Sequence, residues 1–154
     1  MNKLLGIAIA FALTCTSAFA ASEAELKVLS EKMVKDGIAM AEEKGDKAVI
    51  DAVNNKDPKF IQGEVYLIIY DTNGVCKAHA TQPKRVGENQ MESEDKSPQK
   101  IKFIKERVDL AKKDGKGWQT YVWSNPETKT NQKKNNYVEL YKGLIFSAGY
   151  YIAD

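Results

Sequence analysis

The 154-residue sequence predicts an α+β domain built on an antiparallel sheet of about five strands. Three observations carry that expectation. Two helical patterns open the chain, the first long and with a single apolar stripe that needs a sheet face to cover it. A strand-length apolar run with a tight-turn signal follows, and a third helix then leads into three consecutive strand patterns. These strands are joined by hairpins or by one helical connection, which is the condition for antiparallel pairing.

The first twenty residues stand apart. Asn2-Lys3 gives a positive start, Leu4 to Leu13 is an apolar run too short to span a bilayer, and Ala18-Phe19-Ala20 is a small-x-small cleavage site. Residues 1–20 therefore read as a secretory signal peptide and 21–154 as one domain. Cys15 does not make this a lipidation site, because Ala12-Leu13-Thr14 does not put a leucine three residues ahead of it. The remaining 134 residues suffice for one modest core. Loss of Lys3 from the 23 basic residues leaves 22 against 21 acidic ones, a balance that gives no footprint for nucleic acid. No second apolar stretch reaches membrane length, so the expected location is outside the cytoplasm, periplasmic or secreted, with no membrane span. Cys76 is then the only cysteine, so no internal disulfide forms. Its strand position predicts a buried, inert thiol, and dimerisation through it would need exposure.

The first helix is expected from Ala21 to about Lys44, with Leu26, Leu29, Met33, Gly37 and Met40 recurring at steps of three and four. Ser22 is its N-cap, with Glu25 three residues on completing a capping box, and Gly45 ends it. Asp46 caps a second helix carrying Ala48, Val49, Ala52 and Val53, which stops near Asp57-Pro58.

Val65 to Tyr70 (VYLIIY) is a strand, and Asn73-Gly74 suits a type I′ turn. The resulting register sets Ile69 opposite Ala78, Ile68 opposite His79 and Tyr70 opposite Lys77. Val65, Leu67, Ile69, Cys76 and Ala78 then form an apolar face. Tyr66, Ile68, Tyr70, Lys77 and His79 form the other, which mixes rings with donors. Such a face fits either a polar pocket or a core whose phenols reach water.

Thr81 to Pro98 is a polar loop holding Glu88, Glu92, Glu94 and Asp95. It lacks the alternating oxygen ligands and central glycine of a calcium loop and reads as solvated. The third helix is expected to start at Pro98, bury Ile101, Ile104, Val108 and Ala111, carry Lys112 and Lys113 in its last turn, and stop at Gly115. Trp118 to Trp123 is a strand with Tyr121 and Trp123 on one face and Trp118 and Val122 on the other. Tyr137 to Tyr141 pairs back, and Leu144 to Ile152 closes the sheet.

These residues resemble a known family, the single Cache domain of the second type, an extracytoplasmic sensor module with a PAS-like sheet. Tyr70-Asp71, Asn73-Gly74, Ala78-His79, Pro83, Val86-Gly87 and Asn89 are similar to its DxxGxxxAHPxxPxxVGxN stretch. Asp109 to Lys113 resembles its ELAKK segment, and Gly117-Trp118, Tyr121, Trp123, Asn125-Pro126, Lys134, Tyr137-Val138 and Gly149 to Ile152 follow in order. Thr81 departs from the common proline near His79, and Met91 to Ser97 lacks the usual glycine.

The resemblance implies a site for a small organic ligand, often a short carboxylate, on the sheet face opposite the long helix. A carboxylate leaving water needs a fixed cation or several donors. His79 and Lys134 are the candidate cations; Tyr66, Tyr121, Trp123 and Tyr137 are candidate walls and donors. Strict alternation sets Lys134 and Tyr137 on opposite faces, so using both requires a bulge. His79 also fits a structural role with a ring nitrogen bonded to a backbone carbonyl, Lys134 a solvated one, and Arg85 a loop anchor. An enzyme is not expected. Cys76 and His79, three apart on a strand, point to opposite faces, and there is no second histidine, no nucleophile elbow and no phosphate loop, nor any cofactor motif. The expected function is ligand sensing with a separate partner such as a membrane receptor or signalling protein; the alternative is an interaction module that kept the fold without the ligand. The ligand reading requires the imidazole and phenols to point into a closed hollow away from the first helix.

Overall fold

The computed structural model describes residues 20–153, so the signal-peptide reading lies almost wholly outside the described residues. Helix α1 (Glu23–Lys44) opens with the expected capping box: Glu25 N donates to Ser22 Oγ at 3.3 Å and Ser22 N donates to the Glu25 carboxylate at 2.7 Å. Gly45, at φ 88°, ends it. The chain passes straight into α2 (Asp46–Asn54), with Gly45 itself in the cap position. Asp46 therefore lies inside the first turn and makes no capping bond, contrary to expectation.

Two two-residue strands, β1 (Ile61–Gln62) and β2 (Val65–Tyr66), form a small antiparallel ribbon. The apolar run expected as one strand divides at Leu67, whose N–H donates to Phe60 O, before β3 (Ile68–Asp71) enters the main sheet. Strands β4 (Cys76–His79), β5 (Lys116–Ser124), β6 (Asn131–Tyr141) and β7 (Leu144–Tyr151) complete it, in the order β4-β3-β7-β6-β5 with every pair antiparallel. This is the five-stranded α+β architecture expected.

The β3–β4 turn is not type I′. Asn73 does not adopt positive φ; only Gly74 does, at 80°. Asp71 organises the turn, its Oδ1 accepting from Asn73 N and Val75 N and its carbonyl from Gly74 N. This longer turn places Tyr70 opposite Cys76 instead of Lys77. A bulge at Lys77 then restores the expected pairs Ile69–Ala78 and Ile68–His79. The extra residue turns Cys76 to the Tyr70 side, so Cys76 and His79 share a face after all. Burial still pushes the Cys76 thiol up to about 11, which keeps it protonated and inert.

Helix α1 covers one face of the sheet. Gly37 lets the two approach, since a Cβ there would sit 2.8 Å from Leu67 and 3.1 Å from Phe146. Met33, Val34 and Ala41 pack beside it on a face that includes Leu67, Ile69, Phe146 and Ala148. Helix α3 (Phe103–Asp114) lies across the opposite face. It starts five residues after Pro98, which stays in the loop, so Ile101 precedes the helix while Ile104, Val108 and Ala111 are buried as expected.

The loop between β4 and α3 differs from the solvated segment expected. Asp95 is buried and accepts from Ser97 N, Ser97 Oγ, Ile101 N and Val122 N at 2.6–3.1 Å, which fastens the loop to β5. Burial opposes its ionisation, but these four donors outweigh it and hold the carboxyl below its usual range. Glu92 and Glu94 instead pair with Lys102 and Lys100 at the surface.

Candidate functional site

The α3-facing side of the sheet gathers an unusual amount of polar chemistry. By alternation, His79, Gln119, Tyr121, Trp123, Lys134, Asn136, Ser147 and Tyr151 share it with Tyr66 and Tyr70. A hollow opens between this face, α3 and the Pro83–Arg85 turn, lined by Tyr66, His79, Tyr121 and Trp123 from the expected set. Tyr70, Arg85, Phe103 and Arg107 line it as well.

Arg107 is the residue that the sequence reading missed. It is 1 % exposed and held from three sides: Nε donates to Gln119 Oε1 at 3.2 Å, Nη1 to Ser147 Oγ at 3.3 Å, and the guanidinium lies 5.3 Å from the Tyr121 ring. Nη2 has no partner. Gln119 is fixed in turn by donating to Phe103 O at 2.6 Å. A signal was present, because Arg107 falls on the buried stripe with Ile104, Val108 and Ala111, where a charge costs stability unless it is used.

Lys134 is fully buried, contrary to the solvated reading. Its Nζ sits 3.7 Å from the centre of the Tyr66 ring and 5.1 Å from that of Tyr151, with no hydrogen-bond partner. Burial, reinforced by Arg107, holds its pKa well below the ordinary lysine value, with Glu64 opposing weakly. His79 lines the hollow, and its ring is bonded to backbone through N–H donors instead of the carbonyl expected. Its Nδ1 accepts from Thr81 N at 3.3 Å and Gln82 N at 3.1 Å, so the proton resides on Nε2, and its ring lies 5.5 Å from Tyr66. Burial, then Lys134, Arg85 and Arg107, keeps its pKa well below the usual histidine value, so the ring is a neutral donor at pH 7.

Tyr137 is not part of this assembly. The register of β6 runs unbroken from Asn131 to Tyr141, without the bulge that joint use with Lys134 requires. Its ring packs on Trp118 on the α1 side and its hydroxyl donates to Glu139. Arg85 anchors the loop and also reaches the hollow: Nε and Nη2 donate to Gln90 Oε1, which accepts from Tyr70 as well, and its guanidinium lies 5.0 Å from the Trp123 ring.

The hollow itself is much smaller than the ligand reading requires. The side chains converge away from α1, but the space left is about 10 Å³, room for one water molecule. Arg85, Phe103 and Trp123 fill the rest. A second, open depression of about 310 Å³ adjoins it at Tyr66, bounded by Thr81, Gln82, Ser124, Asn125 and Lys129. Among the described residues no cluster of His, Cys, Asp and Glu is gathered that could hold a metal ion, and no helix is long and apolar enough to cross a membrane.

An α1-backed antiparallel sheet with a polar site under α3 is the architecture of a Cache domain. The family model for "Single Cache domain 2" matches residues 23–154, and the chain belongs to that family. Solved structures agree on the fold. A methyl-accepting chemotaxis protein from Vibrio parahaemolyticus superposes with a TM-score of 0.63 at 21% identity, over 83% of this chain and 89% of that one. The periplasmic sensor domain of a chemotaxis protein gives 0.67 at 21%, over 85% and 95%. A Cache chemosensory domain described for carboxylic acid recognition gives 0.63 at 23%, over 83% and 88%. Comparison with curated proteins returned no match.

Proposed function

We propose that this Cache domain is an exported sensor that binds a short carboxylate between its sheet and α3 and presents the occupied state to a separate partner, such as a membrane receptor or signalling protein. The observation that carries this reading is the buried guanidinium of Arg107, whose Nη2 has no acceptor, together with the buried Lys134 Nζ, which has none either. A buried guanidinium lacking a counter-charge is strongly unfavourable, and a carboxylate beside it supplies both charge and lone pairs. The chemosensory neighbour described for carboxylic acid recognition supports the same ligand class. Tyr66, Tyr121 and Trp123 serve as walls, and His79 Nε2 as a neutral donor. Arg85 and its turn move outward to admit the ligand, because one water's space does not hold even acetate. Export rests on the apolar leader with Ala18-Phe19-Ala20, and the role is sensing without catalysis or cofactor.

The near-filled hollow favours a second reading, an interaction module that has kept the fold and given up the ligand. Thermal melting with acetate, propionate, pyruvate, lactate and amino acids separates the two. A carboxylate that binds the folded state adds about 2.7 kcal/mol at 100 times its Kd, and the melting point rises accordingly. Arg107→Met removes that rise. An unchanged melting point across the whole panel in the native protein selects the interaction module.

A further inference from the structure

We propose that filling this site with a carboxylate draws a proton from solvent onto Lys134 Nζ, so that occupancy depends on external pH. The inference rests on the ligand reading above and deepens it. Its basis is the surroundings of one atom. Lys134 projects from β6 into a closed space where its Nζ has no hydrogen-bond acceptor and no free counter-charge, and where the Tyr66 and Tyr151 ring faces compensate an ammonium only in part. Strand β2 presents the Tyr66 ring, β7 presents Tyr151, β5 presents Tyr121, β4 presents the neutral His79, and α3 presents the permanent cation of Arg107. Glu64, in the β1–β2 turn, is the acidic group that acts on it. That carboxylate is occupied elsewhere, accepting from Tyr151 N at 2.9 Å and Asn125 Nδ2 at 3.2 Å. In the empty protein these surroundings favour the amine form of Lys134 and hold its pKa well below the ordinary lysine value.

A carboxylate entering beside Arg107 reverses both causes. It cancels the guanidinium's repulsion and offers lone pairs to an ammonium, so the charged form becomes the favoured one. The proton comes from water or buffer, and no covalent bond is made. His79 does not compete for it, because its Nδ1 is already the acceptor of two backbone N–H groups and protonation there would break both. The tyrosines do not supply it either: burial raises the Tyr66 phenol to about 12 and that of Tyr151 further, so both stay protonated throughout.

The test is titration calorimetry with acetate, propionate, pyruvate and lactate at pH 7 to 9, in Tris and in a sulfonate buffer of low ionisation enthalpy. The difference in observed enthalpy between the buffers gives the protons taken up. The expected result is uptake approaching one proton per site, an affinity that falls as pH rises, and loss of the uptake in Lys134→Met. Binding with no proton exchange, or uptake that persists in Lys134→Met, overturns the inference while leaving carboxylate binding intact; no binding by any acid overturns both readings. The native protein gives an independent check through the 15Nζ and 13Cε shifts of its lysines. A Lys134 signal of amine character at pH 8 that turns to ammonium on ligand addition supports the proposal, and an ammonium signal in the ligand-free protein refutes it.

Discussion

Both faces of the central sheet carry buried side chains, and the two have opposite chemistry. On the α1 side, Leu67, Ile69, Phe146 and Ala148 meet Met33, Val34 and Gly37, and the side-chain hydroxyl of Tyr150 reaches Glu23 and Asn135. On the α3 side lie all four buried side-chain atoms without a partner among the described residues: Arg107 Nη2, Lys134 Nζ, and Nδ2 and Oδ1 of Asn136. Alternation along the same strands feeds both. One face contributes stability by excluding water, while the other sacrifices stability by holding polar groups ready. Burial alone therefore does not identify a core; the partners of the buried atoms do.

Substitutions break or sharpen this contrast. The largest effect is expected on the α1 side: Phe146→Ala, at a fully buried ring, lowers unfolding free energy by about 3–5 kcal/mol in urea titration. On the α3 side the sign reverses. Lys134→Met replaces an unpartnered buried amine with an apolar chain of similar length, and the ligand-free protein gains about 1–3 kcal/mol while carboxylate affinity falls at least about tenfold. A destabilised Lys134→Met would remove the contrast between the faces.

Acidity sharpens the comparison further. Burial, with Arg107, sets the folded-state pKa of Lys134 below its unfolded value, so between the two the unfolded chain binds more protons. Stability of the ligand-free protein therefore rises with pH across that window, up to the ordinary lysine value near about 10.4, by at most about 1.4 kcal/mol per unit. His79 acts with the same sign in a window that ends near about 6.5. Urea unfolding between pH 8 and 9.5 tests the lysine contribution, and Lys134→Met flattens that slope. The smallest effect belongs to the start of α1, remote from either cluster: Ser22→Ala loses the capping box and about 1 kcal/mol, with ligand affinity unchanged.

The sequence was informative wherever a local rule operates alone. The capping box at Ser22 and Glu25, the stop at Gly45, the pairing of Ile68 with His79 and the separation of Trp118 from Tyr121 all follow from cap chemistry and period-two alternation. It was misleading where two signals overlapped. Asn73-Gly74 suggested a two-residue turn, but the Asp71 carboxylate organises a longer one, and the Lys77 bulge absorbs the difference. Pro98 looked like a helix start, yet Asp95 holds Ser97 and Ile101 in a loop that delays α3 to Phe103. Among the candidate site residues, Tyr66, His79, Tyr121 and Trp123 come together around the hollow and Lys134 lies behind Tyr66, but Tyr137 goes to the other face for want of a bulge. Arg107 escaped notice because a charged residue in a helix is normally read as solvated; only tertiary packing reveals it facing the sheet.

The segment that carries Arg85 is tied down on both flanks. Toward β4 and beyond, residues 87–90 pair back onto the hairpin through Gly87 N to Cys76 O, Cys76 N to Glu88 O and Gln90 N to Gly74 O. Asp95 and Lys96 are stitched to Val122 on the far edge of the sheet. Between these ties runs a short arc from Thr81 to Val86, held by His79 Nδ1 at its start and by the Arg85–Gln90 bonds at its end, with Lys84 and Val86 on its outer rim. If a ligand displaces the Arg85 guanidinium as proposed, the fixed flanks confine the resulting movement to this arc and to the few surface positions it carries.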